Sequence, residues 1–144
     1  MHLSEEDFFN DYFDGYPIEA TDENIAAVRA FCLQKWQERH LENKGAEDEI
    51  PQDLSNACKF TALFGSVIFG ADIGGNYDHV FNVLDGRIMD INADAADVKA
   101  LTDPYRHDDA FIGSGDFQES MDSCVSRVED WICAFEPPFT PEPR

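Results

Sequence analysis

The Asp85-Gly86 dipeptide constrains this chain more than any other feature. It stands between "HVFNVL" (79–84) and "RIMDIN" (87–92), two runs rich in apolar and β-branched residues. A two-residue hairpin loop needs positive φ at both positions, which Asp-Gly tolerates, so the segment predicts a hairpin closed by a type I′ turn. The turn sets the register: Leu84 faces Arg87, Val83 faces Ile88, Phe81 faces Asp90 and His79 faces Asn92. Directly opposed residues share a face, which groups His79, Phe81, Val83, Ile88, Asp90 and Asn92. Asp90 is diagonal to His79, about 7–8 Å away between backbones, a gap that side chains close. A slip of one residue turns the whole set to the other face.

Just upstream, "SNACKFTALFG" (55–65) begins an apolar helix expected from about Ser55 to Phe69, with Ser55 or Asn56 as the N-cap. Cys58 then falls in the first turn. A helix N-terminus carries partial positive charge and unpaired amide groups, surroundings that favour a thiolate and can hold an oxyanion during acyl transfer. Gln52, six residues upstream, offers a side-chain donor for the same purpose. Cys58 as nucleophile, His79 as base and Asp90 as orienting carboxylate follow the general logic of a triad, with Asn92 as the alternative orienting group. Each residue also has an ordinary reading. A Cys in an apolar helix is commonly a small buried hydrophobe, a His heading a strand is commonly structural, and Asp90 could cap the next helix or pair with Arg87 or Lys99.

The remaining chain supplies covering elements. "TDENIAAVRAFCLQKWQERHLENKG" predicts the longest helix. Thr21 is its N-cap, Ile25, Val28, Phe31, Cys32 and Trp36 recur on one face, and Lys44 and Gly45 end it. "SEEDFFNDYF" starts a shorter helix at Ser4, stopped by Gly15 and Pro17. "AEDEIPQD" and "GADIGGNYD" read as connections. "ADAADVKALTD" predicts a short helix, "PYRHDDAFIGSGD" a loop with one short strand at Ala110–Ile112, and "FQESMDSCVSRVEDWICAF" a single amphipathic helix. The last nine residues hold four Pro and read as a loose tail.

Composition excludes several functional classes. The chain has 144 residues, a length suited to one domain, and 43% hydrophobic residues with twelve Phe, enough for a core. Thirty acidic residues against ten Lys and Arg give a net charge of −20. That field repels nucleic-acid phosphates and anionic lipid and suits a basic partner. "MHLSEEDFFNDYF" lacks the basic and apolar regions of a signal peptide, and no stretch of about 18 apolar residues is present. The expectation is a cytoplasmic protein with its cysteines (Cys32, Cys58, Cys124, Cys133) reduced. No Cys-x-x-Cys pair suggests zinc, the "IGGN" cluster lacks phosphate-loop spacing, and "YRHDDAF" reads as a solvated acidic loop more readily than as a metal site.

The stretch from about 52 to 100 resembles the core of the papain-like and transglutaminase-like cysteine superfamily. There a Cys begins a buried helix, a His begins a strand, and an Asp follows on the next strand. "HVFNVLDGRIMD" is similar to the H-x-W-N…DG…D pattern, with Phe81 where Trp is common. The C-x-x-T-A-L helix, Gly-containing link, His, DG turn and Asp resemble the small bacterial YunG-like proteins more closely. Ala57 departs from the pattern, since a Gly usually precedes the nucleophile, and the 21 positions from Cys58 to His79 make a shorter interval than many transglutaminase-like members have. The resemblance maps Cys58, His79 and Asp90 onto the catalytic places. It implies thiol acyl transfer (peptide or amide hydrolysis, deamidation or transamidation) with no metal or organic cofactor, and a "SCVSRVEDW" helix packed on the core.

The expected fold is therefore one α+β domain over residues 1–136 with a tail at 137–144. Its Cys-bearing helix packs on a small antiparallel sheet, with other helices covering. The expected function is a thiol-dependent acyl-transfer enzyme acting on a peptide or protein substrate. The alternative is a non-catalytic acidic binding or inhibitor protein that engages a basic protein surface.

Overall fold

The computed structural model of the chain describes residues 16–43 and 49–137. The helix expected from Ser4, the Lys44–Gly45 helix end and the tail from residue 138 lie outside the described residues. The architecture is mixed: helices around a three-stranded antiparallel sheet, in keeping with an α+β fold.

The first helix, α1 (Asp22–Glu42), starts where expected. Thr21 is extended, and its hydroxyl accepts from the Asn24 amide at 3.1 Å, satisfying one of the free first-turn donors. Val28, Cys32 and Trp36, four residues apart, form its buried stripe, with Ile25 and Phe31 packed beside them. Helix α2 (Cys58–Ile68) is apolar nearly all round because it has neighbours on opposite sides. On one side it meets the sheet. On the other, Phe60 and Phe64 stack against Trp36 and Phe31 of α1 and against Trp131 of α6 (Val125–Ala134), with ring centroids 5.3–6.3 Å apart. The "SCVSRVEDW" segment thus packs on the core as expected.

The sheet runs in the order β1 (Asp72–Gly75), β2 (Val80–Leu84), β3 (Arg87–Met89). Asp85 (φ 54°) and Gly86 (φ 77°) are both left-handed, as a type I′ turn demands. The pairs Leu84–Arg87, Val83–Ile88 and Asn82–Met89 follow the expected register. Strand β1 differs from the turn expected of "GADIGGNYD". It pairs antiparallel with β2, Gly74 against Phe81 and Gly75 against Val80. The two glycines permit close approach rather than a turn: a Cβ on Gly75 would sit 2.9 Å from the His79 carbonyl oxygen, and one on Gly74 3.0 Å from the Phe81 ring.

Three short helices complete the fold: α3 (Ala96–Lys99), α4 (Asp109–Ile112) and α5 (Gly115–Asp122). Helix α4 replaces the expected strand at Ala110–Ile112, since the Asp108 carboxylate accepts from the Phe111 amide at 3.1 Å and caps a helical turn. The expected single C-terminal helix is two, α5 and α6, broken at Ser123 and Cys124. No Gly or Pro marks that break, so the apolar periodicity reads straight through it.

Candidate functional site

Cys58 is the first residue of α2, half-buried. The helix starts later than the Ser55 or Asn56 cap would give. Its N-cap is Ala57, with no side-chain cap, and Asn56 stands at φ 70°. The Ser55 hydroxyl, one of the would-be caps, instead joins two carboxylates in clasping the approach. The Asp53 carboxylate accepts from the amides of Ser55 (2.9 Å) and Ala96 (2.8 Å), and these bonds hold its pKa below the usual value. Asp97 accepts from the Asn56 amide at 2.8 Å, and Ser55 Oγ accepts from the Asp97 amide at 3.2 Å. The strained turn before Cys58 is thereby tied to the start of α3.

His79 enters β2 from a turn built by Asn76. The Asn76 side-chain oxygen accepts from the amides of Asp78 (2.8 Å) and His79 (3.1 Å), and the Asn76 amide donates to the His79 carbonyl at 2.9 Å. The imidazole is buried, and its Nε2 lies 2.8 Å from Asp90 Oδ2. That leaves Nδ1 as the nitrogen for the Cys58 thiol, which lies near enough to act on the ring. Burial alone would lower the His79 pKa. The hydrogen bonds to Asp90 and Cys58, with the negative charge of both, outweigh it and raise the pKa to about 9.

Asp90 lies just past β3, where the chain leaves the ladder and turns, the Ala93 amide donating to the Asp90 carbonyl at 3.1 Å. One carboxylate oxygen takes both His79 and the Tyr105 hydroxyl, the latter at 2.9 Å, and the other accepts from the Asn92 amide at 2.9 Å. Neither Arg87 nor Lys99 is among these partners. The loop is pinned from α1: Arg29 Nε donates to the Ile91 carbonyl at 2.8 Å and its Nη2 to the Asp90 carbonyl at 3.3 Å. Burial, then the charge of Asp90, pushes the Tyr105 pKa up to about 12, so the phenol stays a proton donor.

Cys58, His79 and Asp90 therefore converge, while the two auxiliary residues do not join them. Asn92 does not reach His79. Its side-chain amide donates to the Leu54 carbonyl at 3.0 Å beneath the turn that precedes Cys58, and its Oδ1 is buried without a hydrogen-bond partner among the described residues. Gln52 is exposed, and its side-chain amide donates to the Ile50 carbonyl at 3.1 Å, which leaves the unpaired first-turn amides of α2 as the backbone donors at Cys58.

Tyr105, Arg29 and Asn76 are the site residues that sequence reasoning missed. Tyr105 sits in "PYRHDDAF", read only as a loop. What brings it over the sheet is the Asn76 side-chain amide, whose Nδ2 donates to the carbonyls of Pro104 (3.2 Å) and Arg106 (2.6 Å). Among the described residues no group of three or more His, Cys, Asp or Glu is placed to hold a metal ion. His107 bonds to exposed Asp109 at 2.6 Å in that loop. No helix among the described residues is long and apolar enough to cross a membrane. Comparison of the chain with models of known families, with curated proteins and with solved structures finds no match.

Proposed function

We propose that the chain is a thiol-dependent acyl-transfer enzyme of the papain-like and transglutaminase-like kind, acting in the cytoplasm on a peptide or protein substrate. The reading is carried by one observation: buried His79, held by buried Asp90 at 2.8 Å, lies within the influence of half-exposed Cys58 at the head of α2. In this reading Cys58 attacks the acyl carbon as a thiolate, and the imidazolium of His79 passes its proton to the leaving amine. The tetrahedral oxyanion is met by the free first-turn amides of α2, and Gln52 contributes only after leaving the Ile50 carbonyl. The product is a thioester on Cys58. Water gives hydrolysis or deamidation, and an amine gives transamidation, with His79 now removing the proton of the incoming nucleophile. Asp90 keeps the ring oriented and its cation stabilised.

The test is acylation by p-nitrophenyl acetate followed by intact-mass and peptide analysis. One acetyl group on Cys58, lost in Cys58→Ala and sharply reduced in His79→Ala, is the expected result. Equal labelling of exposed Cys133, or labelling of Cys58 indifferent to His79, would overturn the reading.

One observation favours a second reading. The net charge of −20 suits a protein that binds a basic surface, with Cys58, His79 and Asp90 as part of its core. In that case association with the basic partner weakens steeply with salt and survives Cys58→Ala.

A further inference from the structure

Asn92 is buried, yet it uses its side chain unevenly. Its Nδ2 donates to the Leu54 carbonyl at 3.0 Å, while its Oδ1 has no hydrogen-bond partner among the described residues. A buried, unmatched amide oxygen opposes folding, a cost that an apolar side chain of the same branched shape would not carry. An amide at this place is accounted for by what its donor end holds. The Leu54 carbonyl belongs to the turn that leads into α2. It also accepts from the Ala57 amide at 3.0 Å, and Cys58 follows Ala57 directly. The other end of Asn92 runs to the base. Its backbone amide donates to Asp90 Oδ1 at 2.9 Å, and Asp90 Oδ2 lies 2.8 Å from His79 Nε2. One residue thus ties the turn that carries the thiol to the carboxylate that holds the imidazole. That residue is itself fixed, since Arg29 holds the carbonyls of Asp90 and Ile91, and the Asn92 carbonyl accepts from the Ala95 amide at 2.9 Å. The bonds made by Asp53, Ser55 and Asp97 tie the same turn to α3 at the exposed surface. The Asn92 bond is buried, where a hydrogen bond is electrostatically stronger than in water.

We infer that Asn92 is a positioning residue: through Leu54 it sets where Cys58 stands relative to His79, and so whether thiol and imidazole meet as a reactive pair. The inference rests on the acyl-transfer reading. It gives Asn92 a part in that reaction through the nucleophile, in place of the orienting contact with the imidazole that its position in the hairpin led us to expect.

The test is a double-mutant cycle on iodoacetamide alkylation of Cys58 from acid to alkaline pH, each rate divided by that of exposed Cys133 in the same variant. Asn92→Leu keeps the branched shape and removes the donor. With His79 present it should slow Cys58 by about tenfold on the acid side of neutrality, since a small misplacement by a residue away from the chemistry costs up to about a hundredfold. In the His79→Ala background it should change nothing further, because no pair is left to align. Asn92→Ala also lacks the donor, adds no bulk, and should give the same pattern. Ile132→Val, which thins the core at the C-terminal end of α6, should lower stability in denaturant unfolding and leave the Cys58 profile as in wild type. Slow alkylation of fully buried Cys32 reports that each variant is folded. Wild-type rates in both Asn92 variants overturn the inference. So does a slowing of equal size with and without His79, which would mean that Asn92 governs access to the thiol instead of its pairing. Failure of the acyl-transfer reading shows separately, as a Cys58 rate that His79→Ala alone leaves unchanged.

Discussion

At the scale of single residues, one Asp90 oxygen serves two donors, His79 Nε2 at 2.8 Å and the Tyr105 hydroxyl at 2.9 Å. Removing Tyr105 leaves the carboxylate with one fewer donor and a stronger hold on the imidazolium. Tyr105→Phe should therefore move the alkaline limb of the Cys58 alkylation profile to higher pH. It should also cost roughly 1.5–3 kcal/mol of stability, as loss of a hydrogen bond to a charged group does; thermal and denaturant unfolding check the cost. His79 gives a pH dependence of its own. Its folded pKa is raised, so its contribution to stability is complete below the ordinary value near 6.5 and is lost as pH rises through about 9. Urea titrations across that window should show a decline of the order of a few kcal/mol in wild type that Asp90→Asn largely removes. An equal decline in both would place its origin elsewhere. The His79–Asp90 pairing was legible because Asp85-Gly86 sets the register. Tyr105 was not, because its position depends on bonds from Asn76 to a loop nearly thirty residues downstream.

At the scale of elements, the position of α2 on the sheet is set by a close approach. Asn82 of β2 is buried and donates to the Ala62 carbonyl at 2.8 Å, with its side-chain oxygen lying against Gly65. A methyl at Gly65 would collide with that oxygen and come within 3.1 Å of Ile91, and the bond to Ala62 keeps Asn82 from yielding. Gly65→Ala should cost about 1–3 kcal/mol and slow Cys58 alkylation by shifting α2 away from His79. A neutral effect on both would show that the helix is not seated by this contact. Periodicity made α1 legible, with Thr21 as its cap. It concealed the break between α5 and α6, because Met121, Val128, Trp131 and Ile132 keep an apolar stripe across Ser123 and Cys124. Strand β1 was hidden for the opposite reason: Gly74 and Gly75 look like a turn when the strand that crowds them is not in view.

At the scale of the whole molecule, charge and core act against each other. A continuous cluster of buried apolar residues runs from Val28 to Phe135, while a net charge of −20 strains the surface by self-repulsion. Raising ionic strength should therefore raise the unfolding temperature, and a fall on adding salt would mean that attractive ion pairs dominate. The acidic balance was plain from composition. What composition could not give is where single cations sit, such as Arg39, whose guanidinium lies over the Trp36 and Phe60 rings.

The central claim is that His79 activates Cys58 within the fold. The most direct measurement is iodoacetamide alkylation of each cysteine from acid to alkaline pH, read by peptide mass spectrometry, in wild type and His79→Ala. Exposed Cys133 serves as an ordinary thiol and buried Cys32 as a protected one. An activated Cys58 reacts below pH 7 faster than Cys133, and the substitution abolishes that advantage. A Cys58 that only matches Cys133, reacting near the ordinary thiol pKa of about 8.5 whether or not His79 is present, would contradict the claim.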